Sequence, residues 1–171
     1  QLVLRRLTPP DCCKIFTMDH PNLPSPLTVV SLLRQICDAR PDGIAIEFGS
    51  ATLRYRDLDA LSDRLAAYLR DRFNISAGDL IGICLEPSPT AIVAMLAALK
   101  AGAAYVPLDA ELPKSRLAYM FRDTALKVVL TQRKFSIDVA LGAVGMPVEI
   151  MLIDQDQAWQ KHRSQWDPKT Y

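Results

Sequence analysis

No stretch of the sequence reaches the roughly 18–20 uninterrupted apolar residues of a membrane span, and the N-terminus has no short apolar core of a signal peptide. The expected protein is cytoplasmic and does not enter a membrane. Four cysteines, Cys12, Cys13, Cys37 and Cys84, form no C-x-x-C pair, and the adjacent Cys12 and Cys13 suit neither a zinc site nor a disulfide framework. Cys37 and Cys84 fall in apolar runs and read as small buried hydrophobes in a reducing compartment. There is no block of Lys and Arg. Twenty basic against nineteen acidic residues leave +1 at pH 7, so no face tracks the phosphates of nucleic acid. Neither G-x-G-x-x-G nor G-x-x-x-x-G-K-[ST] occurs, so no self-sufficient phosphate cradle is visible.

What is present is a chain of 171 residues, half of them hydrophobic and 23% charged, which suits one globular domain. Pro9, Pro10, Pro21, Pro24 and Pro26 crowd the start, and proline at that density blocks helix and sheet ladders. Residues 1–27 therefore read as a proline-rich linker or lead-in, and 28–171 as the folded unit.

Thr28 is placed to cap a first helix whose apolar stripe is Val29, Leu32, Leu33, Ile36 and Cys37, stopped by Pro41. Ile44, Ile46 and Phe48 alternate, Gly49-Ser50 turns, and Leu53 and Tyr55 alternate again, predicting a hairpin. Leu58, Leu61, Leu65, Leu69 and Phe73 form the face of a second helix, with Asp57 and Asp59 near its positive end and Asn74 as a left-handed stop.

From Asp79 the pattern becomes βα alternation. Apolar runs at Leu80–Leu85, Ala104–Leu108, Lys127–Thr131 and Val148–Ile153 are separated by helices predicted over 90–101, Pro113–Asp123 and, more weakly patterned, Phe135–Val144. The expected fold is α/β, an open, mostly parallel sheet with flanking helices plus an N-terminal β-hairpin. In its middle unit, Ile92, Val93, Met95, Leu96 and Leu99 surround most of one helix, which should be deeply buried. Lys100 favours the negative end of that helix, Gly102 supplies a positive φ at its stop, and Pro107 ends the following strand. Asp109 is thereby delivered to the carboxyl edge of the sheet, where open α/β folds place ligands.

The chemistry-bearing side chains at that edge are few. Ser88 and Thr90 stand at a helix start, where capping is the commoner use and anion binding the rarer one. Asp109 suits a bond to its own loop better than a ligand. Glu86, Asp109 and Glu111 can be written as an acid–base set across a cleft, although their spacing does not demand it. His20 and His162 have no nucleophile beside them and read as solvated. Tyr55 and Tyr105 should pack at strand ends, and Trp159 and Trp166 read as anchors laid on the domain or on material beyond it. No catalytic residue, cofactor-binding residue or metal ligand is assigned from the residues themselves.

Leu53-Arg54-Tyr55-Arg56-Asp57-Leu58 resembles the first core motif, L-[TS]-Y-x-E-L, of adenylation domains in nonribosomal peptide synthetases and related adenylate-forming ligases. Leu99–Asp109, LKAGAAYVPLD, resembles their second core motif, L-K-A-G-x-A-Y-[VL]-P-[LI]-D, and the likeness extends over about Thr28 to Ile153. Arg54 and Asp57 depart mildly from the pattern, as does Ala110-Glu111-Leu112, where the family usually has Pro-x-x-Tyr. The resemblance implies the N-terminal subdomain of an adenylation domain, cut before the Ser/Thr/Gly-rich ATP-phosphate loop ending in Pro-Lys-Gly. In full-length form such an enzyme activates a carboxylic or amino acid with ATP and Mg2+ to an acyl adenylate. It then loads the acyl group onto a carrier-protein thiol, next to condensation and carrier-protein domains. The expected partners of this chain are thus the remainder of the adenylation domain and those neighbours. The chain alone is expected to be inactive and to bind neither ATP nor Mg2+ tightly. Two other readings remain: a naturally short adenylation-like fold serving as a non-catalytic binding or scaffold module, and a flavodoxin-like cofactor binder without a phosphate loop.

Overall fold

A computed structural model describes residues 28–163. The lead-in over 1–27, with Cys12, Cys13 and His20, and the tail holding Trp166 lie outside the described residues.

Helix α1 (Val29–Ala39) opens with a reciprocal cap: Ser31 N donates to Thr28 Oγ1 (3.0 Å) and Thr28 N donates to Ser31 Oγ (2.9 Å). Of its apolar stripe, Cys37 is buried and Leu33 packs on the core, whereas Val29, Leu32 and Ile36 stay exposed. Strands β1 (Ile44–Phe48) and β2 (Ala51–Arg54) pair antiparallel around Gly49, whose φ of +60° suits the turn. The second strand stops one residue earlier than expected, because Tyr55 begins helix α2 (Tyr55–Phe73). Tyr55 N donates to Gly43 O and Arg56 N to Pro41 O, both at 3.0 Å, so the preceding loop satisfies the first free amides of the helix. At its far end Asn74 takes the left-handed stop (φ 51°).

The second half is a four-stranded parallel sheet in the order β4–β3–β5–β6, with β3 at Leu80–Cys84, β4 at Ala104–Pro107, β5 at Val128–Thr131 and β6 at Glu149–Leu152. Its connections carry α3 (Pro89–Lys100), α4 (Lys114–Thr124), a single 3-10 turn (Arg133–Phe135) and α5 (Ser136–Gly142); α6 (Ala158–Lys161) follows β6.

Alternation along the strands divides the core between two faces. Ile81, Ile83, Val128, Leu130 and Met151 join Leu65 and Leu69 of α2 and Val93, Ala94 and Ala97 of α3. Cys84 and Val129 join Leu117 and Phe121 of α4 and Val139 of α5. Gly82 on central β3 permits this second layer, since a Cβ there would lie 2.9 Å from both Leu108 Cδ1 and Val129 Cγ2.

Two placements differ from the sequence reading. Strand β4 is an edge, so Tyr105 is 37% exposed instead of packed, and Pro107 closes a strand with only one partner. Ile92 is exposed on α3, leaving that helix buried over less of its circumference than its composition suggests. Lys100 stands in the last turn of α3, as expected, where it is wholly buried and held by Asp59 and Asp63 of α2.

Candidate functional site

After β3 the chain runs outward through α3 to the edge strand β4, then returns across the other face through α4 to place β5 on the opposite side of β3. In such a sheet the carboxyl ends of β3 and β5 form the switch point at which ligands are usually received. Here the protein's own groups bridge that point. Thr131 Oγ1 donates to Cys84 O (3.0 Å), and Glu86 N donates to Gln132 Oε1 (3.2 Å).

Beside this bridge a cleft of about 380 Å3 opens, with Cys84, Leu85, Leu108 and Phe135 in its walls and Glu86, Asp109 and Glu111 around it. The three carboxylates singled out in the sequence are therefore brought to one place. Lys134 pairs with Glu86, and Asp109 Oδ1 accepts from Glu111 N (2.9 Å), which fixes Asp109 within its own loop. Ser88 caps α3, its Oγ accepting from Ala91 N (3.2 Å) while donating to Glu86 O (3.1 Å). Thr90 lies in the first turn of that helix.

Burial pushes the Cys84 thiol up, and the Asp109 charge adds to the effect, outweighing hydrogen bonds from Thr131 and the Ala110 backbone that act in the opposite direction. Cys84 is thus a packed thiol with little nucleophilic character. Cys37, the other described cysteine, is likewise raised, first by burial and then by the nearby Asp59 carboxylate. His162 is partly exposed but partnered: Nε2 lies 2.8 Å from Asp71 Oδ2, and its ring stands edge-on to Tyr68 at 5.3 Å. Tyr68 in turn donates to Asp156 Oδ2 (2.7 Å), so these side chains fasten the C-terminal strap to α2. Trp159 anchors the strap, buried with its Nε1 donating to Ile153 O at 3.5 Å.

The cleft does not fit a triphosphate. Three carboxylates against one ammonium make its rim negative, and repulsion would oppose a polyphosphate there. No cluster of three or more His, Cys, Asp or Glu side chains suited to a metal occurs among the described residues. No helix among them is long and apolar enough to cross a membrane.

The sequence reading missed the ion cluster that holds α3. Lys100 Nζ donates to Asp59 Oδ1 (2.6 Å), Asp63 Oδ1 (2.7 Å) and Asp59 O (3.1 Å). The signal was available: a lysine among Ala97, Ala98, Leu99 and Ala101 on a buried helix needs counter-charges, and Asp59 and Asp63 stand four residues apart on one helix face.

Comparison with known proteins places this geometry in context. The profile of a family described as "AMP-binding enzyme" matches residues 33–171. Tyrocidine synthase 1 of Brevibacillus parabrevis is 34% identical over 130 residues, which are 76% of this chain and 12% of that protein. The N-(5-amino-5-carboxypentanoyl)-L-cysteinyl-D-valine synthase of Amycolatopsis lactamdurans is 37% identical over 137 residues, 79% of this chain and 4% of that protein. Among solved structures, the N-terminal subdomain of Klebsiella oxytoca NpsA shares the fold at a TM-score of 0.64 and 22% identity, over 81% of this chain and 33% of that one.

Proposed function

The chain belongs to the AMP-binding enzyme family, as the N-terminal part of an adenylation domain, and we propose that the protein it forms part of activates a carboxylic or amino acid with ATP, releasing pyrophosphate and forming an acyl adenylate. The acyl group then passes to the thiol of a carrier protein, in nonribosomal peptide synthesis. The observation that carries this reading is the family match, which runs across the whole parallel sheet and includes the α3–β4 unit formed by Leu99–Asp109.

Within that enzyme this region acts as scaffold. Transfer at phosphorus requires positive charge aimed at the developing oxyanions. The described cleft has the opposite sign at its rim. The charge-stabilising groups are therefore supplied by other parts of the enzyme, and ATP and Mg2+ bind there. The 171-residue chain by itself is inactive and holds neither of them tightly.

Two measurements test this. The isolated chain should give no amino-acid-dependent ATP–pyrophosphate exchange, and robust exchange would refute the assignment of the essential groups to other parts. Reading the coding sequence downstream of Tyr171 should reveal an in-frame Ser/Thr/Gly-rich segment ending in Pro-Lys-Gly. A stop codon at that point would instead favour a non-catalytic binding or scaffold module.

A further inference from the structure

A cavity of about 430 Å3 opens at the amino ends of β5 and β6, at the opposite end of the strands from the cleft ringed by Glu86, Asp109 and Glu111. Its walls come from the end of α4 and from the loops that feed the two strands. Phe121 and Leu126, themselves buried, line it together with the half-buried Met146 and Val148, so most of its surface is apolar. Small-molecule pockets run to roughly 300–1,000 Å3 and share this character, an apolar lining with a few polar groups.

Two cations also line the cavity, and they are not equivalent. Lys127 is neutralised by Asp79, to which its Nζ donates at 2.7 Å. Arg122, in the last turn of α4, is exposed and makes no ion pair with any described carboxylate. Its charge complements the negative end of the helix, while its guanidinium donors remain open to an anion. Ala125, also in the wall, has φ +46°, a left-handed conformation that glycine adopts freely and alanine only with strain. Strain of this kind clusters at ligand sites.

We infer that this cavity is a binding site for a monocarboxylate with an apolar body, such as a medium-chain fatty acid. The hydrocarbon lies against Phe121, Leu126, Met146 and Val148, and the carboxylate accepts from the Arg122 guanidinium, whose planar fork matches it. One uncompensated positive charge suits a single negative one, which sets this ligand apart from a di- or triphosphate. The inference goes beyond the adenylation proposal and does not depend on it.

The test uses decanoic acid carrying a diazirine at the far end of its chain, below its micelle-forming concentration, with the polypeptide encoded by the complete reading frame. After irradiation, labelled peptides identified by mass report where the tail lies. Label should fall within residues 121–127 and 145–148, and plain decanoate should compete it away. Decyltrimethylammonium, with the same tail and the opposite charge, should compete at least about tenfold less well. Arg122→Gln should lower the label in these segments about tenfold or more. Arg116→Gln, which removes another exposed cation from the same helix, should leave it unchanged. Absence of label from both segments overturns the inference. So does equal competition by decyltrimethylammonium, or equal labelling of Arg122→Gln and the parent, since either would mean an apolar hollow that does not select a carboxylate. A loss in Arg116→Gln as large as that in Arg122→Gln would place recognition in the overall charge of α4 and overturn it as well. The comparison of competitors needs no variant and keeps the test readable if one does not fold.

Discussion

The ammonium of Lys100 lies 2.7 Å from Asp63 Oδ1, in a side chain closed to solvent between α2 and α3. Asp59 supplies a second carboxylate oxygen at 2.6 Å and its main-chain oxygen at 3.1 Å, so all three donors of the ammonium are used. Removing one member of a buried ion pair typically costs about 3–5 kcal/mol, because the remaining charge is stranded. Asp59 and Asp63 retain 17% and 20% exposure and can recover some hydration. Lys100→Met should therefore cost about 2–4 kcal/mol in urea unfolding. Adding Asp59→Asn and Asp63→Asn should restore part of that loss. A neutral Lys100→Met would mean the cluster does not hold the two helices together.

Gly102 and Gly82 both resist replacement, for opposite reasons. Gly102 has φ +84°, and a Cβ there would meet nothing closer than Ala77 Cα at 3.5 Å, so the obstacle is backbone conformation. Gly102→Val should cost roughly 1–2 kcal/mol or more. At Gly82 the obstacle is space, with two side-chain carbons 2.9 Å from any Cβ. Gly82→Ala should cost about 1–3 kcal/mol by overpacking. Replacing Leu108 by Ala should relieve part of the second penalty and none of the first. Melting temperatures of the two glycine variants, of Leu108→Ala and of the two double variants check this, and relief at Gly102 would contradict the distinction.

The centre of the parallel sheet was legible because β3 and β5 are covered on both faces and so read as unbroken apolar runs, as at Val128–Thr131. The stops at Asn74 and Gly102 were legible because a left-handed residue is a local requirement. Long-range partners were not. Tyr55 alternates correctly for a strand, yet the carbonyls of Pro41 and Gly43 draw it into a helix. Lys100 fits the dipole rule for a helix end, yet two aspartates 41 and 37 residues away decide its place. Glu86, Asp109 and Glu111 do reach one cleft, as the strand order requires, but their chemistry could not be read without Lys134 and the Asp109 loop bond.

Trp159 should report the docking of the strap on α2. It is 3% exposed and packs in the core shared with α2 and α3, while Arg64 Nη1 donates to Gln160 O (3.3 Å) alongside. Trp159→Ala should cost about 3–5 kcal/mol, as for other buried aromatic residues. Trp159→Phe, which keeps the ring contacts and loses only the long bond to Ile153 O, should cost far less. If both variants unfold at the parent's urea midpoint, the strap contributes nothing to the fold.

Asp79 gives the fold an acid-sensitive tie at the amino edge of the sheet. Burial works to raise its carboxyl, but the Lys127 ammonium at 2.7 Å and the Ser76 N–H and hydroxyl, at 2.7 and 2.8 Å, outweigh that and hold it below its ordinary value of 3.8. A carboxyl depressed in the folded state adds stability that is fully present above its unfolded value and is lost as pH falls through the folded one. Because Lys127 also donates to Asn74 O (3.2 Å), the same ammonium ties the stop of α2 to the start of β5. Asp79→Asn should therefore be less stable than the parent by a constant margin from about pH 7 down to about pH 5. The margin should shrink as the solution is acidified below the ordinary value of 3.8, where the unfolded chain takes up a proton that the folded Asp79 resists. Urea midpoints across that range give the answer, and a margin that held steady on acidification would show that Asp79 contributes through packing alone.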